Sequence, residues 1–244
     1  MRDRAVQAGS LSSEHGAEIE TLMSRGSYLM AAQAVRHSLP TDEYLSLLEE
    51  KFNPNGVRPA EVHRALLRFG APMYITTNYD RLLEDAYAQE FGASANVITW
   101  QNALSAERVV LNARRSGTPI IFKIHGTIDN LDSVVLTELD YRKLLYETRG
   151  YRLILSAVFL LHTVLMLGFS FTDPEIRLLL ETHREALKHQ ASPDYIFLSA
   201  DSAGPVERQR LREDYGVQVI PYEPSADHGE VLEFIEYLAR HVPA

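Results

Sequence analysis

From Ala71 onward, short apolar runs alternate with segments of helical period, and this alternation limits the chain to few architectures. Residues 73–77, 97–99, 120–124, 164–167, 195–198 and 217–221 read as strands, with 134–136 as a further short one. Residues 79–91, 140–146, 174–188, 205–215 and 230–240 read as helices. A run such as Ile120-Ile121-Phe122 is apolar at every position, which fits a strand covered on both faces. Strands of this kind separated by helices predict a mostly parallel α/β sheet flanked by helices.

Residues 1–70 read differently, as helices only. Ser13 is placed to cap a helix carrying Ile19, Leu22 and Met23 on one face, broken at Gly26-Ser27. A second helix runs over 28–39. A third starts at Pro40-Thr41, with Asp42 and Glu43 in its first turn and Tyr44, Leu45, Leu48 and Phe52 as its apolar face. Asn53-Pro54-Asn55-Gly56 is a loop, and 59–69 a short helix stopped by Gly70. In the second half, Leu82, Leu83, Ala86 and Tyr87 are the expected buried positions of their helix, and Asp173 the cap before Pro174. One domain is expected over 1–244, with a helical segment 1–70 and an α/β core 71–244.

Composition narrows the function. The 244 residues include no cysteine, which excludes a disulfide scaffold, a thiolate nucleophile and Cys-ligated zinc or iron–sulfur sites. The formal net charge of −9 argues against non-specific binding to nucleic acid or to an anionic membrane surface. Residues 1–13 lack the apolar stretch of a secretory signal, so a cytoplasmic location is expected. Residues 153–171 are mostly apolar, but His162 and Gly168 interrupt them. They read as a buried helix followed by a strand, not as a membrane span. His162 is expected to be a core residue. His183 and His189, with Glu181 and Glu185, lack the same-face spacing of a metal pair, and no metal is expected. The charged run 207–214 reads as a solvated helix face.

Ligands of open parallel sheets bind beyond the carboxyl ends of the strands. Here the first strand is followed by Asn78-Tyr79-Asp80, and 120–124 by His125-Gly126. Residues 164–167 are followed by Gly168-Phe169-Ser170 and Thr172-Asp173, and 195–198 by Ser199-Ala200-Asp201. Each alone has an ordinary structural role. Asp80 can cap the helix that starts near Arg81, and His125 can bond a backbone carbonyl. Their coincidence at strand ends is what points to a site. Asn78 and His125 are expected at a cleft, outside the core.

The motifs Thr76-Thr77-Asn78-Tyr79-Asp80, Lys123-Ile124-His125-Gly126 and Gly168-Phe169-Ser170 with Asp173-Pro174 resemble the sirtuin-like domains of bacterial anti-phage defence systems. Leu136-Thr137-Glu138-Leu139-Asp140-Tyr141 and Val219-Ile220-Pro221-Tyr222 support the likeness. The resemblance implies a Rossmann-like domain that binds NAD as substrate and cleaves it to nicotinamide and ADP-ribose. It implies catalytic roles for Asn78, Asp80 and His125. It implies contacts to the dinucleotide by Thr77, Asn78, Asp80, Gly126, Gly168 and Ser170. It further implies a homo-oligomer acting with a defence-system partner protein, without zinc. The family opens with a strand and a Gly-Ala-Gly-x-Ser loop that holds the NAD phosphates. Ala8-Gly9-Ser10 is a poor echo of it, and the expectation is that this chain lacks the loop. A sirtuin-like binding or scaffold module without turnover is the alternative. Protein-deacylating sirtuins carry a four-cysteine zinc module, which a chain without cysteine cannot form.

Chemically, loss of nicotinamide builds oxocarbenium-like charge on the ribose. Asn78 can hold a ribose hydroxyl or a water, and an ionised Asp80 can stabilise the cation. His125 can act as general base.

Overall fold

A computed structural model describes residues 2–7, 9–53, 56–102, 117–186 and 192–242. Ala8, Pro54, Asn55, Lys188 and His189, named above, lie outside the described residues. The chain divides into two compact units, Met1–Pro59 with Pro72–Tyr151, and Ala60–Ala71 with Arg152–Ala244.

The first unit opens with helices α1 (Arg2–Gln7), α2 (Ser13–Ser24), α3 (Tyr28–Ser38) and α4 (Thr41–Phe52). Ser12, not Ser13, caps α2, its hydroxyl accepting the His15 N–H at 3.2 Å. Ser13 is the first helical residue, so its own side chain comes one position too late to cap. The apolar faces of these helices converge on Ile19, Val35, Leu47, Leu48 and Val134, with Leu45, Phe52 and Tyr79 packed at the margin. Removing these side chains from water is the main force that assembles the helices.

The sheet of this unit has three strands, β1 (Met73–Thr76), β2 (Asn96–Thr99) and β3 (Ile120–Lys123), in the order β1-β3-β2. Both pairings are parallel, and β3 is central and buried at every position. Helix α6 (Leu82–Phe91) follows β1, and α7 (Glu138–Glu147) follows β3. Residues 134–136 do not form the expected strand. Val135 instead donates its N–H to the carbonyl of His125 at 2.9 Å, a single bond off the end of β3 that starts no ladder. The expected apolar stripe of α6 is also shifted: Leu82 and Leu83 are half-buried, while Glu84 is buried.

The second unit holds α5 (Glu61–Phe69), most of α8 (Arg149–Leu161), and α9 (Pro174–Ala186), α10 (Pro205–Tyr215) and α11 (Gly229–His241). Its sheet is parallel, with β4 (Leu165–Leu167), β5 (Asp194–Ser199) and β6 (Val217–Tyr222) in sequential order. Helix α11 packs on α5, α10 on β6 and α9 on α10. Asp173 caps α9 as expected, its Oδ1 accepting the N–H groups of Glu175 and Ile176, both at 3.0 Å. Two parallel sheets interleaved with helices form the expected α/β, Rossmann-like arrangement. Among the described residues no helix is long and apolar enough to cross a membrane. His162 is exposed beyond the end of α8, so it is not the core residue its apolar neighbours implied. The helix ends one residue before it.

Asp194 starts β5 as a buried acid, and its Oδ1 accepts the Val164 N–H at 2.8 Å. Burial pushes its carboxyl up to about 6 from an ordinary 3.8, against the opposing pull of that hydrogen bond. The folded chain therefore holds the proton over a range where the unfolded chain has released it. Stability linked to Asp194 is full below pH 3.8 and is lost as pH rises through about 6. Asp194→Asn keeps the acceptor and abolishes the titration. The variant is expected to gain roughly 1–3 kcal/mol relative to the wild type between pH 4 and pH 7. Urea unfolding at the two pH values checks this, and an unchanged difference overturns it.

Candidate functional site

The carboxyl ends of β1 and β3 lie side by side. Thr76 pairs with Lys123 in the parallel register, and the Ile124 N–H donates to the Thr76 carbonyl at 3.0 Å. Asn78 and His125 each sit two residues beyond that pair, so the register brings them to one end of two adjacent strands. The expectation of two cleft-lining side chains is corrected for His125. Asn78 is exposed, whereas His125 is only 5% exposed.

The segment carrying Asn78 is held from several sides. Its own N–H donates to Thr76 Oγ1 at 3.1 Å. Tyr79 swings into the helical core, its ring centroid 4.6 Å from that of Phe52, and its hydroxyl donates to the Val135 carbonyl at 2.7 Å. Asp80 accepts the Leu82 N–H at 2.9 Å through Oδ1, which starts α6. The structural role weighed for Asp80 is thus present, and it leaves the carboxylate's second oxygen to other uses. Thr77 lies between these anchors, half-buried.

Beneath the segment lies a group that sequence reasoning did not single out. Lys123 is fully buried at the end of β3. Its ammonium donates to the Tyr79 carbonyl at 3.1 Å, to the Asp80 carbonyl, and to Glu84 Oε1 at 2.8 Å. Three acceptors for three N–H donors satisfy a buried ammonium. The signal was a lysine closing an otherwise apolar strand, together with a glutamate within the apolar stripe of α6, the helix after β1.

His125 is fastened to the segment that follows it. Its carbonyl accepts the Val135 N–H, and its Nε2 lies 3.4 Å from the Tyr141 hydroxyl. The two rings meet edge to face, 5.2 Å apart at 71°. Gly126 then turns the chain at φ +89°, where a Cβ would stand 2.1 Å from the Ser133 carbonyl oxygen. That oxygen also accepts the indole N–H of Trp100 at 2.7 Å, and Ser133 Oγ accepts the Thr127 N–H at 2.9 Å. Gly126→Ala meets both a left-handed backbone and a backbone clash. It is expected to lose about 2–4 kcal/mol of stability, read by denaturant unfolding; a loss below 1 kcal/mol refutes the close approach. A cavity of about 290 Å³ adjoins this segment, lined by Arg36, Tyr44, Trp100, Leu131, Val134 and Asp140 among others.

The remaining candidates belong to the second unit. Gly168 follows β4 at φ +61° with open space where a Cβ would stand, so its backbone angle, not crowding, calls for glycine. Ser170 is exposed, its Oγ 2.7 Å from Thr172 Oγ1. Phe171 adopts φ +57°, uncommon for an aromatic residue, and is held by Tyr215 with ring centroids 4.9 Å apart. Among the described residues no cluster of three His, Asp or Glu side chains is arranged to hold a metal.

The SIR2-like domain family matches residues 72–220. An NAD(+) hydrolase ThsA of Bacillus cereus is 31% identical over 147 residues, covering 60% of this chain and 29% of that protein. The Enterococcus faecium protein of that name is 33% identical over 142 residues, 57% of this chain and 28% of its own length. Defense-associated sirtuin 2 of Bacillus subtilis is 30% identical over 188 residues, 74% of this chain and 17% of that protein. The chain thus spans less than a third of the length of these relatives.

Proposed function

The chain belongs to the SIR2-like domain family, and from that premise we propose that it binds NAD and hydrolyses it to nicotinamide and ADP-ribose in anti-phage defence. The observation that carries the reading is the register of β1 and β3. It sets an amide side chain and an imidazole at one end of two adjacent parallel strands, within the matched region. The naming of the relatives as NAD(+) hydrolases supports the same assignment.

In this proposal Asn78 orients the attacking water or a ribose hydroxyl. Its exposed side chain stands on a segment fixed by Lys123, Tyr79 and Asp80, so little reorganisation accompanies binding. Asp80, ionised, faces the cationic ribose as the bond to nicotinamide lengthens. His125 takes the proton from the nucleophile. Thr77 and Gly126 contact the dinucleotide. The protein acts in the cytoplasm as a homo-oligomer, together with a defence-system partner.

The test is nicotinamide release from NAD, followed by chromatography. It is run with the 244-residue chain, and with that chain preceded by a strand and a Gly-Ala-Gly-x-Ser loop. Release by either supports hydrolysis. Calorimetric binding of NAD without release by either moves the binding-module reading ahead.

A further inference from the structure

We propose that Tyr141 is a positioning residue for His125, its phenol fixing the imidazole's orientation and tautomer; this rests on the reading of His125 as the base. The two rings pack edge to face, and the phenol oxygen stands 3.4 Å from Nε2. A neutral imidazole has one donor and one acceptor nitrogen, and a base must keep its acceptor lone pair for the substrate, so in this role the Tyr141 oxygen accepts the Nε2–H and the lone pair stays on Nδ1. A base that keeps one tautomer presents its lone pair in one direction.

The placement of Tyr141 is itself over-determined. It lies in the first turn of α7, its N–H donating to the Thr137 carbonyl at 3.1 Å. That turn is closed by a reciprocal cap. Thr137 Oγ1 accepts the Asp140 N–H at 3.2 Å, and Asp140 Oδ2 accepts the Thr137 N–H at 3.0 Å. It is also tied to α3. Arg36 donates to Asp140 Oδ1 at 2.6 Å, and Gln33 Oε1 accepts the Leu139 N–H at 3.0 Å. The backbone of His125 is bonded to Val135 in the segment that leads into this turn. The imidazole is therefore gripped at its backbone and at its ring by one continuous piece of chain. A merely structural aromatic contact needs no hydroxyl; the oxygen at Nε2 is what distinguishes a positioning role.

The distance of 3.4 Å is long for such a bond. The expected effect is accordingly that of one modest hydrogen bond. Tyr141→Phe keeps the ring packing and removes the oxygen. It is expected to lower kcat for NAD by about threefold to tenfold, with KM unchanged. In a His125→Ala background it is expected to have no further effect on the residual rate. Independently of turnover, the ring ¹⁵N shifts of His125 in histidine-labelled chain, assigned by the peak lost in His125→Ala, are expected to move in Tyr141→Phe. Unmoved ring shifts in the folded variant overturn the proposal, as does an equal rate loss in both backgrounds. If His125→Ala itself keeps the wild-type rate, the assignment of the base fails, and the shifts alone decide whether Tyr141 holds the ring. If Tyr141→Phe does not fold, 3-fluorotyrosine at position 141 retains the packing and alters the acidity of the phenol. The His125 shifts must then move, and constancy refutes the proposal.

Discussion

His125→Ala is expected to slow nicotinamide release from NAD by about two to four decades, the usual cost of losing a general base. Asn78→Ala is expected to act in the same direction through lost positioning of water or ribose. The two variants differ in their effect on folding. Asn78 is exposed, so truncating it leaves the interior unchanged. His125 is 5% exposed and packed against Tyr141, so its removal leaves a cavity. Melting temperatures are therefore measured beside the rates, and His125→Gln, which fills most of the space without a base in the neutral range, is run in parallel. Folded variants that both keep wild-type rates make these residues structural and remove the catalytic assignment. A rate loss in His125→Gln at an unchanged melting temperature isolates the chemistry from the packing.

The second large effect concerns stability. Lys123→Met keeps the bulk of the side chain and removes its charge. Glu84, which is nearly buried, then loses the partner that stood 2.8 Å away, and the carbonyls of Tyr79 and Asp80 lose a donor. Breaking a buried pair from one side costs about 3–5 kcal/mol, since the remaining charge has no counterpart. The loss is read from denaturant midpoints. The double change Lys123→Met with Glu84→Leu is expected to recover a large part of it, because an apolar pair of similar volume replaces a buried ion pair at little net cost. The same ammonium fastens the segment that carries Asn78, so Lys123→Met is also expected to weaken NAD turnover in whatever fraction remains folded. A loss under 1 kcal/mol in the single variant, with no gain in the double, shows that the pair contributes little.

Local pattern was enough to reveal the alternation of strands and helices, the apolar run at 120–122, the cap at Asp173 and the stop at Gly70. Each of these depends on residues within one or two turns of each other, and their chemistry is the same in any surroundings. The strand-end positions of Asn78 and His125 were legible for the same reason, and the motifs around them led to the family. Three features depended on partners distant in sequence. Glu84 reads as an interruption of an apolar stripe, and only Lys123, arriving from β3, makes its burial tolerable. Residues 134–136 have the composition of a strand, but β3 is already flanked by β1 and β2, so Val135 bonds to the His125 carbonyl beyond the end of the sheet. His125 reads as a cleft residue, yet the turn at Gly126 and the capped start of α7 bring Tyr141 over it. Apart from residues 134–136, the sequence by itself determined which segments of the α/β part are strands, which are helices and which residue types stand at their ends. Only the tertiary structure decided which charges are buried together and which ring covers the imidazole, because burial and pairing are properties of groups brought together from distant parts of the chain.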